Sequence, residues 1–205
     1  MKNRNKKFIY LISPSKNLDK IFYNDLTLVL KSKKIKFFQL RLKKQSFSKK
    51  VIIARKVLKI CKENKVKFII NDSPYLALKV NADGCHLGQK DMSIKKAKKI
   101  LKKKIIGVTC HNSIKLAKKA SLDGADYIAL GAFYKSKTKK TIYKAHIKTL
   151  INIKKTTNLP VVAIGGINAK NYKNLLLNKA DFLAISGYIW NNKKLKPQQA
   201  IKNLT

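Results

Sequence analysis

Ala82-Asp83-Gly84-Cys85-His86-Leu87 recurs in outline as Ala125-Asp126-Tyr127-Ile128-Ala129-Leu130 and again as Ala180-Asp181-Phe182-Leu183-Ala184-Ile185. Each copy follows a stretch with helical spacing and opens a short apolar run, so each reads as the passage from a helix into a strand. An Asp at such a junction can bond the exposed backbone N–H groups of a tight turn. These three acids are therefore expected to be structural and to lie at the N-terminal ends of strands. Working outward, the same kind of run appears at 7–12, 37–42, 67–70, 84–87, 105–109, 127–130, 161–164 and 182–185. The runs are short and mostly not alternating, as strands covered on both faces of a parallel sheet are. Amphipathic stretches separate them at 18–31, 48–64, 74–80, 93–103, 113–122, 147–156 and 169–177, with a last short helix at 197–204. Ser48, Ser73 before Pro74, Ser93, Ser113 and Asn168 are residue types that cap helix N-termini. Eight β–α units in 205 residues, with no Pro/Gly/Ser-rich linker, predict one α/β domain over residues 1–205. The expected architecture is a (β/α)8 TIM barrel near the lower size limit of that fold. A doubly wound open sheet would usually have fewer strands.

Composition narrows the class. The chain is 45% hydrophobic, which supports a packed core and excludes a disordered tail. No apolar run approaches the ~20 residues of a membrane span. The basic start, Met1 to Lys7, leads into an apolar stretch that ends at Ser13-Pro14, too short for a secretory signal. Cys61, Cys85 and Cys110 are few and odd in number, which suggests reduced thiols and a cytoplasmic location. The formal net charge of +39 would attract anions, but it comes from lysines spread over nearly every segment. Arg4, Arg41 and Arg55 are the only arginines, fewer than a specific nucleic-acid reader would use. Compositional drift at surface positions accounts for the excess, and weak salt-sensitive binding to nucleic acid would be a by-product.

Active sites of such barrels lie at the C-terminal ends of the strands, so the residues there carry the chemistry. Gly165-Gly166 and Ser186-Gly187 follow the seventh and eighth strands, where phosphate commonly binds in this fold. Glycine lets the backbone approach a phosphate and present N–H groups, although a plain turn is the competing reading. Asp72 and Asp91 follow neighbouring strands and suit Mg²⁺ shared with a substrate phosphate; alternatively each caps the helix behind it. Arg41, Lys43 and Lys139 could hold a more highly charged phosphate group. Arg41 is the most telling of these, a rare guanidinium interrupting an apolar strand. Cys85-His86 and Cys110-His111 match no usual zinc spacing, and adjacent strand residues point to opposite faces. The long stretch 133–145 has the position of a binding loop, and Gly131 to Thr141 has a Lys but lacks the second Gly of a P-loop.

Gln39-Leu40-Arg41-Leu42-Lys43, Ile70-Asn71-Asp72, Ala82 to Met92, Ile106-Gly107-Val108-Thr109-Cys110-His111, Val161 to Ile167 and Ala184-Ile185-Ser186-Gly187 together resemble the thiamine phosphate synthase family. The likeness runs in order from about Phe37 to Trp190. It implies a transferase that joins an aminopyrimidine methyl diphosphate to a thiazole phosphate, with small phosphorylated substrates as its partners and Mg²⁺ as cofactor. It implies that Gln39, Leu40, Arg41, Leu42, Lys43, Asn71, Thr109 and Lys139 hold the pyrimidine diphosphate, with Arg41, Lys43 and Lys139 acting on the leaving group. Ser136, Lys137, Thr138, Gly166, Ser186 and Gly187 would hold the thiazole phosphate, and Asp72 and Asp91 the metal. The sixth loop departs from the family's Phe-Pro-Thr-x-Thr-Lys: here Tyr134-Lys135-Ser136-Lys137-Thr138-Lys139 puts Lys135 where proline is usual. Two other readings stand beside this one. A sister family of thiazole tautomerases would use His111, and the charge of +39 suggests a non-catalytic barrel that binds phosphate or nucleic acid. No membrane partner is expected, and homo-oligomerisation is left open.

Overall fold

A computed structural model describes residues 8–14, 18–136 and 142–204. Eight strands, β1 (Ile9–Ile12), β2 (Ile35–Leu40), β3 (Lys67–Asn71), β4 (Gly84–Leu87), β5 (Ile105–His111), β6 (Tyr127–Gly131), β7 (Val161–Ile164) and β8 (Phe182–Ile185), pair in parallel and in order. β8 returns to β1 and closes the barrel. Around it run α1 (Lys20–Leu30), α2 (Phe47–Glu63), α3 (Pro74–Lys79), α4 (Ile94–Leu101), α5 (Ile114–Leu122), α6 (Ile147–Thr156), α7 (Tyr172–Leu177), α8 (Gly187–Trp190) and α9 (Pro197–Lys202).

Strand periodicity sorts the side chains into two cores. Tyr10, Phe37, Ile69, Tyr127, Ala129, Val162 and Ala184 pack inside the bore. Their neighbours, among them Ile9, Leu11, Phe38, Ile70, Cys85 and Ile128, pack outward against the helices. Both faces are therefore dry, which is why the strands read as continuous apolar runs.

The three repeated acids do what their position predicts. Asp83 accepts the Phe68 backbone N–H at 2.8 Å, Asp126 that of Ile106 at 2.7 Å and Asp181 that of Val161 at 2.7 Å. Each acid precedes an even-numbered strand and clamps the start of the odd-numbered strand beside it. Lys67, Lys98 and Lys154 pair with the same carboxylates. Asp126→Ala would leave the N–H of fully buried Ile106 without its acceptor. We expect it to cost about 1–3 kcal/mol, read as a lower midpoint in urea unfolding.

Three local expectations need adjustment. β2 ends at Leu40, two residues earlier than read, so Arg41 follows the strand instead of interrupting it. The cause is that Ser13 Oγ takes the Arg41 N–H at 3.0 Å, outside the ladder. Ser46 rather than Ser48 caps α2. α7 starts late because Asn168 spends its side chain on the Lys170 N–H at 2.8 Å, forming a turn ahead of the helix.

Candidate active site

The last inward positions of β2, β3, β4 and β5 are Gln39, Asn71, His86 and Thr109, four polar residues above the apolar bore. Gln39 Nε2 donates to Asn71 Oδ1 at 2.6 Å, and His86 Nε2 lies 2.9 Å from Thr109 Oγ1. Just beyond β3, Asp72 takes a left-handed conformation with φ 65° and sends its N–H to His86 O at 2.8 Å. That crossing turns its side chain toward the β4 loop. Asp91 is held there because its Oδ2 accepts the Gly88 N–H at 2.7 Å.

The two carboxylates are within hydrogen-bonding reach of each other. Partial burial, then the bond to Asp91 and repulsion by its charge, push Asp72 up to about 6. Arg41 and Lys43 oppose the rise, so both cations act on the same carboxyl. A cavity of about 290 Å³ opens beside this group, with Lys43, Asn71 and Asp72 on its polar side. Leu40, Ile70 and Leu76, buried in the outer core, and Leu42, packed against it, form the cavity's apolar wall.

A second polar corner forms where β7 and β8 lie side by side, Ile164 opposite Ala184. Gly165 and Gly166 have φ 110° and 63°, a path that side chains rarely allow. A Cβ on Gly165 would run into Ala132, and one on Gly166 into the Lys135 carbonyl. The glycines thus let the β6–α6 loop lie flat on this turn, with Phe133 N–H on Ile164 O and Tyr134 N–H on Gly165 O, each at 3.0 Å. Half-buried Ser136 continues that loop. Ser186 and Gly187 sit at the next strand end, where the short α8 begins. Ser186 Oγ donates to Ser13 O at 3.2 Å.

The structure therefore gathers Gln39, Arg41, Lys43, Asn71, Asp72, Asp91 and Thr109 on the β2–β5 side of the mouth, and Ser136, Gly166, Ser186 and Gly187 on the β6–β8 side. Lys137, Thr138 and Lys139 lie outside the described residues. Cys85 faces the outer core while His86 faces the bore, so that pair cannot share a metal. His111, with φ 54°, stacks on Tyr143 with ring centroids 3.9 Å apart. Sequence reasoning missed two features. The four-residue α8 is too short to show a helical period, and the bonds from His86 to Tyr127 and on to Tyr10 join residues far apart in the chain.

Comparison with known proteins points to one family. Residues 9–189 match the family model described as thiamine monophosphate synthase. The chain is 68% identical over 200 residues to the thiamine-phosphate synthase of Pelagibacter ubique (strain HTCC1062), covering 98% of this chain and 97% of that one. It is 36% identical over 203 residues to the thiamine-phosphate synthase of Clostridium acetobutylicum, covering 98% and 95%. A solved structure described as thiamine phosphate pyrophosphorylase from Pyrococcus furiosus superposes with a TM-score of 0.86 at 27% identity, covering 98% and 95%.

Proposed function

The chain belongs to the thiamine monophosphate synthase family, and we infer from its two-sided mouth where each half of the reaction is held. It is a transferase that condenses 4-amino-2-methyl-5-(diphosphomethyl)pyrimidine with a thiazole phosphate, giving thiamine phosphate and diphosphate. The pyrimidine diphosphate is assigned to Gln39, Arg41, Lys43, Asn71 and Thr109, with the backbone of Leu40 and Leu42. The thiazole phosphate is assigned to Ser136, Gly166, Ser186 and Gly187. Lys139 joins the first set and Lys137 and Thr138 the second, by their place in the family motif. The observation that carries this reading is the Asp72–Asp91 pair with Arg41 and Lys43 acting on it. Two acids drawn together between cations form a site for a polyanion and the cation that accompanies it.

The donor set fits Mg²⁺: both groups are hard oxygens, and their mutual repulsion marks a place short of positive charge. Asp72 and Asp91 would hold the ion, which when bound supplies Lewis-acid neutralisation of the diphosphate. The chain's own residues do the rest. Arg41 and Lys43 place fixed positive charge where negative charge grows as the diphosphate leaves. Gln39, Asn71 and Thr109 orient the ring, and the β7–β8 corner holds the thiazole so that its nitrogen faces the methylene carbon. One C–N bond forms, one C–O bond breaks, and the bonding pair leaves with the diphosphate. No proton moves, so no base is required.

The test mixes both substrates with Mg²⁺ and follows thiamine phosphate and diphosphate; no product from well-folded protein would overturn the reading. Gly166→Ala should raise the KM for the thiazole phosphate about tenfold and leave that for the pyrimidine diphosphate near its original value. Equal rises in both would remove the assignment of the β7–β8 corner. A cytoplasmic setting agrees with three free, buried thiols. Among the described residues no helix is long and apolar enough to cross a membrane.

A further inference from the structure

A line of hydrogen bonds runs from the floor of the bore to the mouth. Tyr10 Oη lies 2.7 Å from Tyr127 Oη, Tyr127 Oη lies 2.9 Å from His86 Nδ1, and His86 Nε2 lies 2.9 Å from Thr109 Oγ1. Each link alone can run either way. The links are not independent, because a neutral imidazole has one N–H and one bare nitrogen. If Nδ1 accepts, Nε2 must donate, and the reverse.

The buried end selects the direction. Run inward, Thr109 donates to His86, His86 to Tyr127 and Tyr127 to Tyr10. The Tyr10 hydrogen must then end among Phe37, Ile69, Val162 and Ala184, side chains that accept nothing. A doubly protonated ring would drive the line to the same dead end. Run outward, Tyr10 donates to Tyr127, Tyr127 donates to Nδ1, and Nε2–H donates to Thr109. Every buried hydrogen then has an acceptor, and a buried donor without one is the costlier defect. Tyr10 and Tyr127 are 1% and 3% exposed, and burial holds both phenols protonated, so each keeps a hydrogen to give.

We propose that His86 is a positioning residue, fixed as the Nε2–H tautomer by Tyr127 and Tyr10, and that it makes Thr109 a committed donor toward the mouth. Because Nε2–H occupies the Thr109 oxygen, the threonine's own hydrogen is directed to an acceptor beyond His86. That acceptor is an atom of the pyrimidine diphosphate, a clause that rests on the substrate assignment above; the tautomer itself does not.

Nitrogen NMR of histidine-labelled, substrate-free protein tests the tautomer, with the His86 signals identified by their loss in His86→Asn. Bare Nδ1 and protonated Nε2 are expected. The opposite tautomer overturns the proposal whatever the enzyme's activity. Tyr127→Phe keeps the ring and removes the donor to Nδ1. It should release the fixed tautomer and raise the KM for the pyrimidine diphosphate about tenfold, with the thiazole phosphate KM unchanged. Thr109→Val should reproduce that rise and Thr109→Ser should not. Equal rises for both substrates, or none in Tyr127→Phe, overturn the positioning role. Absence of any condensation with the expected tautomer present would instead refute the substrate assignment.

Discussion

Asp72→Asn should lower kcat/KM on the order of 10²–10³-fold while the barrel stays folded. The substitution is nearly isosteric, and Asn tolerates the left-handed backbone that Asp72 adopts at φ 65°. Its N–H can still bond His86 O, so the β3–β4 crossing survives. What disappears is one of the two carboxylate charges that lie side by side on the β2–β5 side of the mouth. Asp91→Asn should act alike, because an amide oxygen can still accept the Gly88 N–H that fixes the loop. Steady-state kinetics with Mg²⁺ titrated, beside a thermal melt, separates chemistry from folding. Near-original kinetics in both variants would remove the metal assignment. The pair also predicts a pH dependence whose sign can be worked out. Asp72 is raised to about 6, so protons compete with a divalent ion for the pair below that pH. The Mg²⁺ concentration needed for half-maximal activity should climb as pH falls through about 6 and be flat above it. The metal-free protein should behave in the opposite sense. A carboxyl whose folded pKa is raised penalises the folded state while ionised, and that penalty fades as pH falls from about 6 toward the ordinary carboxylate range.

Sequence showed most clearly what is local or periodic. The acids before β4, β6 and β8 were readable because turn chemistry binds each to its neighbouring backbone, and the structure finds Asp83, Asp126 and Asp181 in that role. Gly166 and Ser186 were readable because the fold brings the ends of β7 and β8 together. β2 was misplaced because Lys36 is exposed inside the strand and apolar Leu42 follows its end, so hydropathy pointed two residues late. Pairing of Asp72 with Asp91 was foreseeable from their neighbouring strands, but their contact depends on the left-handed turn at Asp72. His86 was harder. Its partners Tyr127 and Thr109 are 41 and 23 residues away, and each is an ordinary strand residue by itself. Only barrel closure makes them one line.

Gly107→Ala should be a severely damaging small substitution in the bore. Gly107 faces inward on β5, and an added Cβ would fall inside the Tyr127 ring. The ring has nowhere to go. His86 stacks on it at 5.6 Å, and Tyr10 and Phe37 pack at 5.7 and 6.0 Å. Overpacking of this kind costs about 1–3 kcal/mol, and displacing the ring also breaks its bonds to Tyr10 and His86 at about 1 kcal/mol each. The expected loss is about 3–5 kcal/mol, a large part of the 5–15 kcal/mol that typically holds a domain together. Gly88→Ala is the contrast: its Cβ would meet the Asp91 carboxylate at 3.0 Å, a side chain that can shift. Guanidinium unfolding of both variants measures the difference. A double-mutant cycle then identifies the cause. Tyr127→Leu removes the ring, so Gly107→Ala placed on that background should cost much less than it does alone. Additive costs would mean that something other than this aromatic ring requires glycine at position 107.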